Sequence, residues 1–482
     1  MPSGRKGGTP SPPPLKADLA VLRRLPEVLR KCNFEGTAVL ADHRLIGFEE
    51  GDTTAECFGV AFDIGTTSLV GSLLDLRTGE ELAVVSRLNP QVSYGDDVLS
   101  RIEHASASPA GREDLQKSVA AAIGEMIGEL CKQAKVERSR VYEVAVAGNT
   151  TMEHLLCGID PSAMGRVPFT PAYSQGLILP AEELGLDIAE GGAAYVFPVI
   201  GGFVGGDTSA GILAARLEEA GGPALLVDIG TNGEIVLAHG GKLLAASTAA
   251  GPAFEGARIS CGMRAAPGAI EKVLFDGELH CSVVGGGTPT GLCGSGLIDA
   301  AAELLRTEVV TPEGRMLPPQ DLPDSVPAAM RQRVLLDEKG QPRFLLHKTS
   351  GGAKKAKAVT LSSRDIRELQ LATAAIRAGI AVLLRKAGLR TADLKCVLIA
   401  GGFGSFIRRS NAQRIGLLPP EMDHTRIHYI GNASLEGARW ALVSVEARKR
   451  AEELARRAEH VELSQDADFL TVFADSMIFP EK

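Results

Sequence analysis

The sequence predicts an α/β protein built from two similar halves. One hexapeptide occurs nearly twice, as DIGTTS at 63–68 and as DIGTNG at 228–233. Each copy follows an apolar run, which is typical of a buried strand that ends in an acidic residue and a glycine turn. From Phe58 onward the patterns of strands and helices alternate, as they do in α/β proteins. Two strand–turn units of the same kind therefore indicate a duplicated fold.

The composition is that of a folded chain with more than one domain. The chain has 482 residues, of which 45% are hydrophobic and 23% are charged. A net charge of -8 and an aromatic content of 4% argue against nucleic acid as a partner. The polar, Pro-rich N-terminus and the lack of a long apolar stretch predict a cytoplasmic protein that has no membrane segment.

The eight cysteines are scattered along the sequence, and no two of them stand at C-x-x-C spacing. This pattern disfavours a zinc ribbon or an iron–sulfur cluster built within the chain. We therefore expect reduced thiols with structural roles.

The chain divides into four predicted regions. Residues 1–16 are rich in Gly, Ser and Pro and are predicted to form a disordered tail. Residues 17–57 form a short linker region with too few apolar residues for an independent core. The two halves are predicted at 58–217 and 218–482, and the second half contains a surface insertion at 310–358.

The clearest helix pattern covers residues 361–388. Ser362 and Asp365 have the spacing of an N-terminal capping box, and Gly388 suits the C-terminal cap. A second helix is predicted near 434–458, where alternating Arg and Glu indicate a solvated face.

The two repeated turns are the strongest candidates for a functional site. Turn amides and hydroxyl groups can hold phosphate oxygens, and a carboxylate at each strand end can hold a hydrated Mg²⁺. We assign that metal role to Asp63 and Asp228, although an acidic residue here can also simply cap a turn. The predicted phosphate-binding residues are Gly65, Thr66, Thr67, Gly230, Thr231 and Asn232.

Three glycines after the apolar strand VLIA extend this candidate site, namely Gly401, Gly402 and Gly404. Glycine there lets the backbone approach an adenine or a ribose closely. Gly294 and Ser295 open a helix, so their backbone amides either bind the nucleotide or mark a close crossing of two chain segments.

Two further acidic residues have less certain predicted roles. Asp207 stands where a helix begins, so it either positions an attacking water, as a third catalytic carboxylate beside Asp63 and Asp228, or caps the helix. Glu234 either supports the metal site or faces solvent.

Nine ordered blocks carry a resemblance to a known family. They are VAFDIGTTSLVGSLLDL, SRLNPQVSYGDDVLSRI, VAGNTTMEHLLCGIDP, FVGGDTSAGILAARL, LLVDIGTNGEIVL, GPAFEGARISCGM, GLCGSGLIDA, LSSRDIRELQLA and AGGFGSFI. Over about residues 20–482 the chain resembles the reductive activators of corrinoid proteins. These belong to the superfamily of acetate kinase, sugar kinases, heat-shock chaperones and actin.

The resemblance implies a duplicated actin-like ATPase fold, with two ribonuclease H-like halves around a nucleotide cleft. It implies that ATP, with Mg²⁺, drives the uphill electron transfer that returns a corrinoid cobalt from Co(II) to Co(I). The implied partners are a corrinoid protein of a methyltransferase system and a second copy of the chain in a homodimer.

Two features depart from the family pattern. Family members typically carry an N-terminal [2Fe–2S] domain with cysteines at C-x₄-C-x₂-C spacing, and this sequence has no such pattern. We therefore expect no iron–sulfur cluster in this chain and a separate electron donor. Thr373 also stands where the family has a lysine after Gln-Leu-Ala.

Three other functions remain open from the sequence. A small-molecule kinase with the same fold would transfer phosphate to an added acceptor. A nucleotide-regulated, chaperone-like binding protein would show negligible turnover. An activator of a radical dehydratase would hold a [4Fe–4S] cluster between subunits, for which Cys261 and Cys293 are the cysteines to test.

Overall fold

The computed structural model describes residues 15–17, 19–41, 43–348, 358–402 and 407–480. Nearly all of the predicted disordered tail, and Gly404 among the predicted site residues, lie outside these ranges. No helix in the described part of the chain is long and apolar enough to cross a membrane.

A small unit precedes the two halves. Its elements are β1 (Lys16–Ala17), α1 (Leu19–Lys31), β2 (Gly36–Ala41) and β3 (Arg44–Glu50). The three strands form their own sheet in the order β1-β3-β2. Tyr142 donates a hydrogen bond of 2.6 Å to Glu49, which ties this unit to the first half.

The first half is a six-stranded sheet in the order β6-β5-β4-β7-β9-β8 with helices around it. Its elements are β4 (Phe58–Ile64), β5 (Ser68–Asp75), β6 (Glu81–Leu88), α2 (Val98–Ala107), α3 (Pro109–Ala134), β7 (Val141–Gly148), α4 (Thr150–Leu156), β8 (Leu177–Pro180), β9 (Ala193–Val196) and α5 (Gly206–Ala215).

The second half holds another six-stranded sheet, in the order β20-β19-β10-β11-β12-β21, and two smaller sheets. Its elements are β10 (Ala224–Ile229), β11 (Gly233–His239), β12 (Lys242–Thr248), β13 (Ala269–Phe275), β14 (Leu279–Val283), β15 (Gly291–Leu292), α6 (Gly294–Arg306), α7 (Ala328–Arg331), β16 (Val334–Leu336), β17 (Pro342–His347), β18 (Val359–Ser362), α8 (Ser363–Ala387), β19 (Cys396–Ala400), α9 (Arg409–Arg414), β20 (Ile427–Gly431), α10 (Ala433–Val443), α11 (Val445–Arg457), β21 (Ala458–His460) and α12 (Phe469–Ser476).

The two large sheets share one topology. In each, the first three strands form an antiparallel meander, β4-β5-β6 and β10-β11-β12. The next strand then pairs parallel with the first, as β7 with β4 and β19 with β10. A parallel return requires a long crossover, and helices supply it in both halves. The predicted duplicated α/β fold is therefore confirmed.

Helices α5 and α10 lie between the two sheets and join the halves. They contact each other closely, because a Cβ on Gly437 would lie 2.1 Å from the carbonyl oxygen of Ala210. Side chains from both sheets, including Ala61, Ala145 and Leu226, share one buried cluster with these helices. This packing brings the strand ends of both halves to one cleft.

The predicted caps of the long helix α8 are confirmed. Ser362 and Asp365 form the reciprocal capping box, and Gly388 adopts a left-handed conformation with φ of 68°. The single helix predicted near 434–458 is wrong in one respect, because the structure has two helices there, α10 and α11. The side chain of Ser444 accepts a hydrogen bond from Ala447 N and begins the second helix.

The segment predicted as an insertion at 310–358 packs against the second half over its described part. Its strands β16 and β17 pair with each other, and β17 also pairs with β18, in a three-stranded sheet of the order β16-β17-β18. The apolar side chains that it adds to the main core are Val310, Met316, Leu322, Val326, Met330, Val334, Phe344 and Leu346. Residues 310–348 therefore contribute buried apolar side chains to the core of the second half, while residues 349–357 are outside the described ranges.

Candidate functional site

The two repeated turns lie at equivalent ends of β4 and β10 but differ in length. In the first half Ile64 pairs with Leu69, so four residues form the turn. In the second half Ile229 pairs with Gly233, so only three residues form it. This difference places Glu234 directly opposite Asp228 across the strands.

Residues of both turns line one cavity of about 640 Å³ between the halves. Every predicted site residue within the described ranges lies on its wall: Asp63, Gly65, Thr66, Thr67, Asp207, Asp228, Gly230, Thr231, Asn232, Gly294, Ser295, Gly401 and Gly402. Glu234, Glu255, Arg264 and Asn432 also line this cavity. The structure therefore brings together residues from sequence positions as distant as 63 and 434.

The two turns touch each other through their threonines. The hydroxyl oxygens of Thr67 and Thr231 lie 2.9 Å apart, and Thr231 also donates a hydrogen bond of 2.5 Å to Glu255. Since the single proton of Thr231 is given to Glu255, the proton between the two threonines belongs to Thr67. The other oxygen of Glu255 is buried and has no hydrogen-bond partner in the described part of the chain.

Both turns keep backbone donors available. Gly65 N bonds to Ser68 O and Gly230 N bonds to Asn232 O, each over 2.9 Å, and these bonds close the turns. Within the described residues, no acceptor is recorded for the amides of Thr66 and Thr67 or for those of Thr231 and Asn232. Such groups of free amides at a turn bind anions.

Side chains distant in sequence fix the first turn. Asn149 donates to the Thr66 hydroxyl over 2.9 Å, which leaves the Thr66 proton free for another acceptor. Asn89 donates to Gly65 O over 2.8 Å. Arg101 donates to Thr66 O over 2.6 Å. Sequence reasoning did not single out these three residues, although they lie within the blocks that carry the family resemblance, because no local pattern shows which turn they contact.

The carboxylate of Asp63 is held by the other half of the protein. Asn432 and Ser434, at the N-terminus of α10, each donate a hydrogen bond of 2.8 Å to it. Burial raises the pKa of Asp63, while these two hydrogen bonds act in the opposite direction. The strand end of one half is thus bonded directly to a helix of the other.

Asp207, Asp228 and Glu234 form an acidic group around the same cavity. Burial, and then the charge of Asp63, raises the pKa of Asp207 to about 7 and that of Asp228 to about 8. Burial raises the pKa of Glu234 well above its usual value, and the charges of Asp207 and Asp228 add to that effect. Glu234 is 9% exposed, so the solvent-facing alternative for it is wrong.

Asp207 lies in the first turn of α5 and does not cap it. The capping position belongs to Gly205, and Asp207 accepts bonds from the amide and hydroxyl of Thr208 at 2.6 and 3.2 Å. Its carboxylate therefore remains on the wall of the cavity. The capping alternative for Asp207 is wrong, and its catalytic role stays a prediction.

The carboxylates fit a divalent cation by their chemistry. No described side chain donates a hydrogen bond to the Asp228 carboxylate, and only burial and neighbouring acids act on its pKa. Oxygen ligands of this kind suit Mg²⁺, which usually keeps several waters and takes only one or two carboxylates. Within the described ranges, no group of three or more His, Cys, Asp or Glu side chains is arranged to hold a metal directly.

Gly401 and Gly402 serve different purposes. Gly401 has φ of 105°, and a Cβ there would lie 2.3 Å from Ile229 O and 3.1 Å from Asp228 Oδ1. Among the described residues, which omit 403–406, a Cβ on Gly402 would meet nothing within 4 Å. Gly401 therefore lets β19 cross beside Asp228, whereas Gly402 leaves open space on the cavity wall.

Gly294 marks a close crossing at the start of α6. A Cβ there would lie 1.8 Å from Phe254 O, and the Ser295 hydroxyl donates to Glu271 O over 2.9 Å. The close-crossing alternative is thus confirmed for Gly294. Because both residues also line the cavity, the nucleotide role of their amides stays a prediction.

Three further residues singled out from the sequence, Thr373, Cys261 and Cys293, each contact a backbone carbonyl oxygen. The Thr373 hydroxyl is buried and donates to Leu369 O within its own helix over 3.0 Å. Cys293 is buried beside Ile270 O, and Cys261 is half-buried near Ala358 O. All eight cysteines are free thiols.

Three family models together match nearly the whole chain. They are described as the RACo linker region at residues 5–55, the RACo middle region at 58–220, and the C-terminal domain of RACo, the ASKHA domain, at 222–482.

Curated proteins and one solved structure are similar over comparable lengths. A corrinoid activation enzyme, RamQ, from Eubacterium limosum is 36% identical over 96% of this chain and 77% of its own length. A reductase of the Co(II) methylated amine-specific corrinoid protein, from Methanosarcina barkeri, is 25% identical over 86% of this chain and 75% of its own. The solved structure of a reductive activator for a corrinoid, iron–sulfur protein is 37% identical. It superposes with a TM-score of 0.87 over 97% of this chain and 74% of that one.

Proposed function

Because the chain belongs to the RACo family, we propose that it is an ATP-dependent reductive activator of a corrinoid protein. It returns the cobalt of its partner from the inactive Co(II) state to Co(I). The partner is a corrinoid protein of a methyltransferase system, and the electron comes from a separate donor. The active form is a homodimer. This proposal rests on the family and on the chemistry of the cleft.

One observation of the structure carries the ATPase part of the proposal. Two glycine turns, one from each half, meet through Thr67 and Thr231. The cavity beside them is also lined by three acidic residues at strand or helix ends, namely Asp63, Asp207 and Asp228. Free amides supply donors for phosphate oxygens, and the carboxylates supply ligands for a hydrated cation. A triphosphate with its metal needs both kinds of group in one place.

Each carboxylate has a distinct task in this proposal. Asp63 and Asp228 hold the hydrated Mg²⁺, which supplies charge neutralisation for the phosphates when it is bound. Asp207, with a pKa raised to about 7, is suited to orient the attacking water and to accept its proton. The hydroxyls of Thr66 and Thr67 and the turn amides orient the phosphates.

Hydrolysis is coupled to electron transfer through the cleft between the halves. Asp63 is bonded to Asn432 and Ser434 of the other half, so a ligand at Asp63 changes the contact between the halves. A barrier of about 100–200 mV for one electron corresponds to about 2.3–4.6 kcal/mol. Reversing a 1:99 population requires differential binding of about 5.5 kcal/mol, which is of the same order.

The test is to measure ATP hydrolysis by the purified chain with and without a Co(II) corrinoid protein and a chemical reductant, while the cobalt spectrum is recorded. We expect Co(I) to form only when ATP is present, and hydrolysis to be stimulated by the corrinoid protein. Co(I) formation that is independent of ATP would contradict the proposed coupling. Absence of ATP binding would contradict the assignment of both turns.

A further inference from the structure

Arg101 is an unusual residue in this protein, because its charged side chain is completely buried beside the first turn. Its exposed fraction is 0%, and it belongs to helix α2. Its guanidinium donates to Thr66 O over 2.6 Å, to Gly95 O over 3.0 Å and to Gln91 Oε1 over 3.4 Å. All three of these acceptors are neutral oxygens.

No carboxylate neutralises this buried charge at close range. Among the described residues, none of the acidic side chains lies within the 4 Å that defines an ion pair with Arg101. The nearest acidic influences are Asp96 and Asp97, which are exposed, and Asp97 caps α2 by accepting from Ser100 N. Burial lowers the pKa of Arg101 to about 10, so the side chain stays charged at neutral pH.

A buried charge without a counter-ion is costly, so its position calls for a physical explanation. The Thr66 carbonyl that accepts from Arg101 belongs to the same peptide group as the Thr67 amide. A charge-assisted bond to a carbonyl polarises its peptide and strengthens the N–H as a donor. That Thr67 amide has no acceptor within the described residues. We therefore expect the negative charge that balances Arg101 to bind on the cleft side of the turn, at the free Thr67 amide.

We propose that Arg101 is a positioning residue for the phosphate groups of the nucleotide. It acts through the Thr66–Thr67 peptide, by fixing the first turn and by placing a positive charge behind the free amides. The inference rests on the proposed function, since it assumes that a nucleotide occupies the cleft. The inference deepens that function, because it identifies the part of the site that attracts the phosphates. That part is the first turn, which lies opposite the acidic side chains of the cavity wall.

Two variants separate this role from a merely structural one. Arg101→Met removes both the charge and the bond to Thr66. Gln91→Glu keeps Arg101 and its bond to Thr66 but adds a carboxylate beside the guanidinium, at the position of an oxygen that now lies 3.4 Å away. It should neutralise the charge with little change of volume, although it also removes the hydrogen bond that the Gln91 amide donates to Leu115 O over 2.9 Å.

The matched control is Arg448→Met in α11. Arg448 stacks over the Tyr195 ring at 4.4 Å and pairs with Glu143 over 2.7 Å, and it does not line the cavity. Its loss should lower stability without changing nucleotide binding. The affinities to measure are those for ATP and for adenosine, which lacks phosphate, together with the unfolding temperature of each variant.

We expect Arg101→Met to weaken ATP binding about 10-fold to about 100-fold, the usual effect of losing a hydrogen bond to a charged group. Gln91→Glu should weaken ATP binding in the same direction, and adenosine affinity should stay within about twofold in both variants. Arg448→Met should leave both affinities unchanged.

Equal ATP affinity in wild type and Gln91→Glu would overturn the inference, even if Arg101→Met fails to fold. An equal loss of ATP and adenosine affinity would also overturn it, because that result indicates general damage to the cleft. Failure of the wild-type chain to bind ATP would instead overturn the proposed function on which the inference rests.

Discussion

The hydroxyl groups of Thr67 and Thr231 are hydrogen-bonded to each other at 2.9 Å, although they belong to different halves of the protein. Thr231 donates its own hydroxyl proton in a hydrogen bond of 2.5 Å to Glu255. In this arrangement neither of the two hydroxyl protons can be given to a phosphate. A triphosphate that took hydrogen bonds from these hydroxyls would therefore have to separate the two turns, so we predict that the contact between the halves depends on bound nucleotide.

The first prediction concerns this contact. In the double variant Thr67→Cys with Thr231→Cys, the two sulfurs should be close enough for a disulfide, since each can take the place of a hydroxyl oxygen and those oxygens lie 2.9 Å apart. We expect oxidation to cross-link the halves readily without nucleotide and much more slowly with ATP. Peptide mass spectrometry identifies the bond, and each single variant is the control for the eight native thiols. Cross-linking that ATP leaves unchanged would contradict separation of the turns.

The second prediction concerns Asp228, whose carboxyl lies opposite Glu234 across β10 and β11. Asp228→Asn keeps the shape but removes the metal ligand, so we expect ATP turnover to fall by at least about 100-fold. The unfolding temperature should stay equal or rise, because burial and neighbouring acids already disfavour the ionised form of Asp228 in the folded protein and raise its pKa to about 8. Asp324→Asn, at an exposed position, is the control and should change neither value. Normal turnover in Asp228→Asn would remove this residue from the site.

The duplicated fold could be predicted from sequence because its signal is local and repeated. Each DIGT turn sits between strands of strong apolar character, and the capping residues of α8 stand at fixed spacing from one another. The different turn lengths could not be predicted. The hexapeptides align without a gap, yet the pairing register of Asp63 with Val70 and of Asp228 with Glu234 differs by one residue.

The supporting side chains of the site could not be found from sequence either. Arg101 and Asn432 reach the first turn and Asp63 through long-range packing of α2 and α10, and no local pattern marks such contacts. Glu234 remained ambiguous for a related reason. Whether a strand residue faces a cleft or solvent depends on which segments, distant in sequence, cover that face of the strand, which is a tertiary property.

The third prediction is that stability falls as pH rises between about 5 and about 8, which is the reverse of the usual behaviour of carboxylates. The pKa of Asp207 is raised from 3.8 to about 7 and that of Asp228 from 3.8 to about 8. In this range the folded state binds more protons than the unfolded state, so folding loses stability as the protons leave. For each carboxyl, the free energy of unfolding falls by at most about 1.4 kcal/mol per pH unit.

Denaturant unfolding at several pH values, without nucleotide or Mg²⁺, measures this slope. Asp228→Asn should make it shallower, because one of the titrating groups is gone. Addition of Mg²⁺ and ATP should stabilise the protein more at pH 8.5 than at pH 6.5, since a cation binds ionised carboxylates. Stability that increases with pH across this range would contradict the raised pKa values.

The fourth prediction compares two adjacent glycines at the end of β19. Gly401→Ala must place a Cβ 2.3 Å from Ile229 O at φ of 105°, so the crossing beside Asp228 has to shift. We expect a loss of about 2–4 kcal/mol in the free energy of unfolding. Gly402→Ala meets no atom of the described residues within 4 Å and should change stability by less than about 1 kcal/mol.

Chemical denaturation of the two variants measures this difference, and ATP affinity adds a second comparison. Gly402 lies on the cavity wall, where we expect a base or ribose to bind, so an added methyl group there should reach that ligand. Gly402→Ala should therefore weaken ATP binding in a fully folded protein, whereas Gly401→Ala should lose stability first. If Gly402→Ala binds ATP as the wild type does, the nucleotide does not lie against this turn. If Gly401→Ala is as stable as the wild type, the close crossing does not constrain the position of Asp228.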